Sequence, residues 1–263
     1  MRKTFTSSSN PEARRMAGLR KKRERDRTKL FLIDGIGPIG LALKSGISIE
    51  KIFYEEQRKE RKLLDLAAEK GIILQPVSGK AAEKIFYGNN PDGHTALAHQ
   101  PDYGIDKLRL PENPLIILTE SLEKPGNTGA VMRSADAAGA DAHIICDPVT
   151  DIFNPNIIRN SRGTLFTVPH AVASSSEAAK WLTEKGVTIY AAFPGVGIPY
   201  TEADFRGPSA LCVGNEHSGL SGIWREFEPV HISMRGAADS LNAAQTGTLM
   251  LFEARRQREN SAV

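Results

Sequence analysis

Long apolar runs and cysteines are scarce in this chain of 263 residues. No apolar run approaches the ~20 residues that a membrane helix needs, and the charged N-terminus lacks the apolar stretch of a secretory signal. We therefore expect a cytoplasmic protein without a membrane partner. The only two cysteines, Cys146 and Cys212, lie in apolar runs that predict strands, which favours buried free thiols in a reducing compartment.

Two common kinds of site are also missing from the sequence. No GxGxxG sequence follows the first strand of either predicted domain, which argues against a Rossmann-type enzyme. His94 and His99 flank a predicted strand, but no third ligand has suitable spacing. We therefore predict no metal site.

The net charge of +3 is unevenly distributed along the chain. Residues 1–29 carry a net charge of +8, residues 30–110 carry none, and residues 111–263 carry −5. Between Pro11 and Lys29 the apolar anchors are Met16 and Leu19, which predicts a flexible, solvated tail. Because Lys and Arg near phosphates release counterions, the same basic block also suits an arm that binds nucleic acid.

Strands and helices alternate over residues 30–110 and again over residues 111–263, which predicts two α/β domains joined by a Pro-rich linker at 101–114. In the second domain the fully apolar run Leu115–Leu118 is typical of a central parallel strand. We therefore expect a parallel sheet that is covered by helices on both faces.

Three polar loops follow predicted strands of the second domain, at the edge where open α/β sheets bind ligands. They are Asn127–Arg133, Val213–Leu220 and Ile232–Asn242. The third loop precedes a helix predicted from Leu241 to Arg258, with Ser240 in the position of its N-cap. Taken singly, each loop is equally well explained as part of an ordinary strand–loop–helix unit.

Together the loops contain N-x-G-x-x-x-R, then G-N-E-x-x-G-L, then I-x-M-x-G-x-x-x-S-L-N. This ordered set resembles the three motifs of the SpoU (TrmH) RNA ribose methyltransferases, which belong to the SPOUT superfamily. The resemblance covers about Leu115 to Gln257, and residues 30–110 resemble more loosely the small α/β RNA-binding substrate domain that precedes many SpoU enzymes. It implies a C-terminal trefoil-knot domain and a homodimer whose site is built from both subunits.

The resemblance also implies a reaction, in which S-adenosylmethionine methylates the ribose 2′-hydroxyl of a nucleotide in structured RNA. We favour ribosomal RNA over transfer RNA, because an added N-terminal domain and a basic tail suit a structured rRNA target. Arg133 is the expected catalytic residue. A guanidinium with a pKa above ~12 is a poor base, so we expect Arg133 to orient the hydroxyl and stabilise developing alkoxide charge.

The other expected roles follow from the same motifs. Glu216 is expected to pair with Arg133, within the chain or across a dimer interface, with a solvated loop glutamate as the alternative, and Asn242 is expected to lie near the reacting groups. The residues expected to hold S-adenosylmethionine are Gly214, Ile232, Met234, Ser240 and Leu241. The expected RNA contacts are Asn127, which we also expect to cap the helix that presents Arg133, together with Arg159, Arg162 and Arg235.

Two positions depart from the family pattern. Ala244 stands where a serine is usual, and Ser233 stands where a proline is usual. These departures leave open a non-catalytic RNA-binding protein that retains the fold, in which Arg133 would only position a phosphate or form a surface ion pair. A SPOUT enzyme that methylates a base fits the SpoU form of the motifs less well.

Overall fold

The computed structural model describes residues 3–86 and 92–260. The chain divides into two compact units. The first comprises Met1–Pro101 and Asp151–Thr167, and the second comprises Asp102–Thr150 and Val168–Val263. This organisation differs from the contiguous domains expected from the sequence, because a segment from the middle of the second half returns to the first unit.

A four-stranded mixed sheet forms the centre of the first unit, with the strand order β1-β4-β2-β3. β4 is antiparallel to β1 and to β2, while β3 is parallel to β2. The strands are β1 Leu30–Asp34, β2 Ile49–Glu55, β3 Ile73–Val77 and β4 His94–His99. The helices before and between them are α1 Pro11–Gly18, α2 Lys22–Thr28, α3 Ile36–Lys44, α4 Arg61–Glu69 and α5 Gly79–Ile85.

Residues 11–28 fold into α1 and α2, so the prediction of a flexible tail was wrong for this stretch. Asn10 caps α1 by accepting a hydrogen bond from the backbone N–H of Glu12 at 2.8 Å. Ala13, Met16 and Leu19 are buried in the core of the first unit. Their helical spacing buries one face while most of the cations, though not Arg25, remain exposed, which composition alone did not reveal.

Seven strands form the sheet of the second unit, and every pairing is parallel, as the apolar runs predicted. The order is β7-β6-β5-β10-β8-β11-β9. The strands are β5 Leu115–Glu120, β6 Ala142–Cys146, β7 His170–Ala173, β8 Thr188–Ala192, β9 Ile198–Pro199, β10 Ser209–Val213 and β11 Glu228–His231. Strands β7 and β9 were not predicted, since they have only four and two residues.

Helices cover both faces of this sheet. They are α6 Pro125–Ala138, α8 Ser175–Glu184 and α9 Ala243–Asn260, while α7, Pro155–Asn160, lies in the segment that returns to the first unit. α8 packs in the core on one face, and α6 and α9 pack in the core on the other. The second unit therefore has the layered α/β architecture that the sequence predicted.

Both cysteines are buried free thiols, as predicted. Burial raises the pKa of Cys146 and of Cys212, so both thiols stay protonated and unreactive. Within residues 3–86 and 92–260, none of the helices combines the length and the apolar character needed to span a bilayer. The same residues contain no group of three potential metal ligands.

The returning segment, Asp151–Thr167, is held in the first unit by three kinds of contact. The ring of Phe153 lies 4.7 Å, centroid to centroid, from that of Phe31 in β1. Gly163 has φ +90°, and a Cβ there would come within 2.7 Å of the Cα of Pro38. Asp151 forms an ion pair with Arg25 at 2.5 Å. Because these contacts join residues far apart in the sequence, the sequence did not predict that this segment belongs to the first unit.

Replacing Arg25 by alanine is expected to destabilise the first unit by about 3–5 kcal/mol, as for other broken buried ion pairs. Arg25 is only 1% exposed. Its Nε and Nη2 donate to the carboxylate of Asp151, and its Nη1 donates to the carbonyls of Leu19 and Arg20, each at 2.8 Å. The change would leave all these acceptors without their donor. Denaturant unfolding would measure the loss.

Arg27→Ala is the matched control for this experiment. Arg27 lies on the same helix, and its ion pair with Glu24 is exposed to solvent, where such pairs contribute little. We expect its unfolding curve to stay close to that of the wild type. Similar losses in the two variants would show that the Arg25 pair has no special role.

Candidate active site

The loop Gly214–Leu220, which follows β10, folds back on itself. The backbone N–H of Asn215 donates to the carbonyl of Gly219 at 3.1 Å, and the N–H of Gly219 donates back at 2.9 Å. A Cβ on Gly214 would lie 2.3 Å from the carbonyl carbon of Gly219 and from the nitrogen of Leu220. Only glycine therefore fits at position 214.

Asn215 organises this loop from inside. Its Oδ1 accepts from the backbone N–H groups of His217 at 2.8 Å and Ser218 at 3.1 Å. Its Nδ2 donates to the carbonyl of Ser121 at 2.8 Å and to Glu123 at 3.2 Å. Asn215 is not among the predicted site residues, although an asparagine in a polar loop is a common centre of such turns.

A cavity of about 470 Å³ opens beyond the carboxyl ends of β8, β10 and β11. Its lining includes every residue expected to hold the cofactor, namely Gly214, Ile232, Met234, Ser240 and Leu241. It also includes residues that the sequence analysis missed, among them Phe193, Pro194, His231, Asp239 and Thr246. The structure thus brings the second and third motifs together around one space.

Size and chemistry make this cavity suitable for a small organic ligand. Binding pockets of this kind typically enclose ~300–1,000 Å³ and combine apolar walls with a few polar groups. Two buried polar atoms of its lining residues, Nδ1 of His231 and Oε2 of Glu216, have no hydrogen-bond partner among the described residues. Since buried polar atoms are usually paired, these two are available to a ligand.

One residue from each motif takes part in a chain of hydrogen bonds at the wall of the cavity. Nδ2 of Asn127 donates to Oε1 of Glu216. Nδ2 of Asn242 donates to Oδ1 of Asn127 at 3.1 Å. Glu216 itself lines the cavity. Residues separated by up to 115 positions thereby meet at one point.

The structure corrects two predicted helix caps. α6 begins at Pro125, after Lys124, so Asn127 lies in the first turn rather than at the cap. α9 begins at Ala243, and Oδ1 of Asn242 accepts from the N–H of Ala244 at 2.9 Å. Asn242, not Ser240, therefore caps α9. Proline favours the first helical position, and asparagine caps as well as serine, so neither boundary was fixed by local sequence.

Arg133 lies on α6 and is exposed. It does not line the cavity, and among residues 3–86 and 92–260 it has neither a hydrogen bond nor an ion pair. The expected pairing with Glu216 is therefore absent within one chain, where Glu216 binds Asn127 instead. The neighbouring Ser134 shares a hydrogen bond of 2.6 Å with Thr248 of α9.

The three arginines expected to contact RNA are divided between the two units. Arg235 is exposed in the loop that follows β11, directly after the cavity residue Met234. Arg159 and Arg162 are also exposed, but they belong to the segment that returns to the first unit. Only Arg235 therefore shares a unit with the cavity.

Two protein families match the chain. Residues 114–252 match the SpoU rRNA Methylase family. Residues 10–96 match the MRM3-like substrate binding domain. The first match includes the motifs that surround the cavity. The second covers α1–α5 and the sheet of the first unit except for the last residues of β4.

Characterised relatives are similar over nearly the whole chain. The 23S rRNA (uridine(2479)-2'-O)-methyltransferase of Streptomyces viridochromogenes is 34% identical over 89% of this chain and 85% of its own length. The 23S rRNA (guanosine(2553)-2'-O)-methyltransferase of Bacillus subtilis is 30% identical over 96% of this chain and 99% of its own. The structure of an AdoMet-bound rRNA methyltransferase from Sinorhizobium meliloti matches with a TM-score of 0.87 and 30% identity over 97% of both chains.

Proposed function

The chain belongs to the SpoU rRNA methylase family, and on that basis we propose that it transfers a methyl group from S-adenosylmethionine to a ribose 2′-hydroxyl of ribosomal RNA. The observation that carries the proposal is the meeting of Asn127, Glu216 and Asn242 at the wall of the cavity. One similar enzyme acts on a uridine and another on a guanosine. We therefore state the target as the ribose, which the two nucleotides share.

The residues of the cavity fit S-adenosylmethionine. Adenine is a flat apolar body with hydrogen-bonding edges, which suits a slot that combines Ile232 and Leu241 with backbone groups. Gly214 lets the backbone of Gly219 and Leu220 come close, which shapes the loop at the wall of the cavity. Nδ1 of His231 and Oε2 of Glu216 supply buried polar atoms that no other described residue hydrogen-bonds. When bound, S-adenosylmethionine supplies a methyl group on sulfur that is already activated for transfer.

The protein's contribution to the reaction is alignment and charge stabilisation. Asn127 and Asn242 hold Glu216 in place at the cavity wall. Arg133 orients the 2′-hydroxyl and stabilises the negative charge that develops on its oxygen. Because a guanidinium stays protonated at neutral pH, the hydroxyl proton leaves to a phosphate oxygen or to water.

A homodimer with shared sites explains the position of Arg133. Leu249 and Phe252 are 39% and 46% exposed on α9, beside the Ser134–Thr248 contact that joins α6 to α9. Exposed apolar side chains of this size on one helix suit a protein interface, and a two-fold axis would repeat them on both chains. In this arrangement Arg133 of one chain completes the cavity of its partner.

We extend the proposal to the knot and to the location of the enzyme. The trefoil knot implied by the family is supported by the sheet order, in which β10 lies between β5 and β8, and by the packing of α9 against both α6 and β10. A cytoplasmic location is supported by the two buried free thiols and by the 23S rRNA targets of the similar enzymes.

The first unit is the proposed RNA-binding part, since it matches a substrate binding domain. Four of its N-terminal cations are exposed, and their side chains form no hydrogen bond or ion pair with a described residue: Arg14, Lys21, Arg23 and Lys29. Changing all four to glutamine is expected to weaken rRNA binding. The slope of log affinity against log salt should fall by about 3, because each lost phosphate contact removes ~0.7–0.9 of the slope. Filter binding across a salt series would measure it.

Lys180→Gln on α8 combined with Lys185→Gln at its C-terminal cap provides a control in the second unit. Both lysines are exposed, and their loss should leave the salt slope nearly unchanged. The fourfold variant is preferable to a deletion of residues 1–29, because Met16 and Leu19 belong to the core. An unchanged slope in the fourfold variant would remove this surface from the RNA-binding site.

Isothermal titration of the wild-type protein with S-adenosylmethionine tests the proposed function. We expect saturable binding with one cofactor per chain. Absence of binding at near-millimolar cofactor would instead favour a non-catalytic RNA-binding protein that retains the fold, the alternative suggested by Ala244 and Ser233.

A further inference from the structure

Glu120, the last residue of β5, is a buried carboxylate outside the cavity and is only 4% exposed. We propose that Glu120 is a positioning residue, which holds the cofactor loop Gly214–Leu220 through Ser221. This inference rests on the proposed function, because it takes the cavity beside that loop as the site of S-adenosylmethionine.

Three donors satisfy the buried carboxylate of Glu120. Its Oε1 accepts from the hydroxyl of Ser175 at 2.5 Å and from the hydroxyl of Ser221 at 2.7 Å. Its Oε2 accepts from the backbone N–H of Ser221 at 2.6 Å. A buried charge is tolerated only with such partners, and hydrogen bonds to a charged group are stronger than neutral ones. Ser221 provides two of the three.

These bonds fix the end of the cofactor loop, because Ser221 directly follows Leu220. The start of the loop is fixed by the pairing of β10 with β5, where Val213 lies opposite Thr119. Inside the loop, Asn215 donates to the carbonyl of Ser121. Both ends of the loop are therefore held by consecutive residues at the end of β5.

The same end of β5 leads into α6, which carries Asn127. Glu216 in the cofactor loop must reach Asn127 to form the hydrogen bond that joins the first two motifs. A shift of the loop relative to β5 would move Glu216 away from Asn127 and reshape the cavity. Glu120 thus acts on the site through Ser221, without lining the cavity itself.

The two serines that bind Glu120 differ in what else holds them. Ser175, at the start of α8, also donates its backbone N–H to Asp147 at 2.9 Å, and its single hydroxyl hydrogen is shared between Glu120 and Oδ2 of Asp147, which lies 2.6 Å from the hydroxyl oxygen. The N–H and hydroxyl of Ser221 have Glu120 as their only acceptor among the described residues. The loop therefore depends on Glu120 more than α8 does.

Ser221→Ala and Ser175→Ala make a matched pair, since each removes one hydroxyl from the same oxygen of Glu120. We expect Ser221→Ala to weaken S-adenosylmethionine binding about tenfold, and Ser175→Ala to change it by less than about twofold, on the scale of a hydrogen bond to a charged group. In methyl-transfer assays the KM for the cofactor should rise in Ser221→Ala, with a smaller change in kcat.

Ser221→Thr keeps a hydroxyl on an extended backbone, with φ −66° and ψ 168°, and should restore the affinity. Thermal unfolding of each variant separates a loss of fold from a loss of positioning. If the wild type binds the cofactor, the proposed function stands. In that case unchanged affinity in Ser221→Ala, or equal losses of affinity in both alanine variants, would overturn the inference about Glu120. Failure of the wild type to bind would overturn both.

Discussion

Arg133→Ala is expected to lower the rate of methyl transfer about 10²–10³-fold, the usual effect of removing a group that stabilises transition-state charge. The affinity for S-adenosylmethionine should stay the same, because Arg133 is proposed to act on the ribose hydroxyl and not on the cofactor. Within the described part of the chain the Arg133 side chain forms no hydrogen bond or ion pair, so its N–H groups are available to the developing alkoxide.

The rate of methyl transfer, measured at saturating cofactor, tests the expected loss of activity. Titration calorimetry on the same preparations tests the unchanged cofactor affinity. Arg206→Ala is the control, since the exposed side chain of Arg206 pairs, within residues 3–86 and 92–260, only with Asp204. It should leave both quantities unchanged. If Arg133→Ala lost cofactor binding instead of rate, Arg133 would belong to the cofactor site and not to the ribose site.

Gly214→Ala is expected to weaken S-adenosylmethionine binding by about a hundredfold or more, because overpacking against a rigid backbone costs up to ~3 kcal/mol. The new Cβ would lie 2.3 Å from two backbone atoms, the carbonyl carbon of Gly219 and the nitrogen of Leu220. Neither atom can move unless the Asn215–Gly219 hydrogen bonds open. The loop would then no longer form the wall of the cavity.

Gly222→Ala is the control, because a Cβ on Gly222 meets no atom within 4 Å. It lies just beyond the loop and should bind the cofactor like the wild type. Titration calorimetry measures both variants. Normal affinity in Gly214→Ala would mean that the loop relaxes without harm, so that its folded-back form is not needed for binding.

Mixing these two inactive variants tests whether the site is shared between subunits. If the site is shared, a dimer of one Arg133→Ala chain and one Gly214→Ala chain has one complete site. In that site the intact cavity of the Arg133→Ala chain faces the intact Arg133 of the Gly214→Ala chain. Activity should therefore reappear after the chains are exchanged. If each site is built within one chain, the mixed dimer has no complete site and stays inactive.

The fold was largely predictable because its signals are local. Fully apolar runs such as Leu115–Leu118 predicted a parallel sheet, and seven parallel strands are observed. The failures involve packing between distant parts of the chain. Met16 and Leu19 are buried by partners far along the sequence, and Asp151–Thr167 is held by Arg25, Phe31 and Pro38.

Candidate site residues that belong to sequence motifs could be predicted, whereas residues that act through long-range contacts could not. The motifs placed Gly214, Ile232 and Leu241, all of which line the cavity. Nothing local distinguished Glu120 from other carboxylates, since its role depends on Ser175 and Ser221, far along the chain. The link from Asn127 to Glu216 likewise became visible only in three dimensions.

The central claim concerns which atom receives the methyl group. The direct measurement incubates unmodified 23S rRNA with the protein and labelled S-adenosylmethionine, then maps the label by nuclease digestion and mass spectrometry. We predict a single methylated ribose, whose 3′ phosphodiester resists alkali because no free 2′-hydroxyl remains to attack it. Label on a base, or a labelled position that alkali still cleaves, would contradict the account.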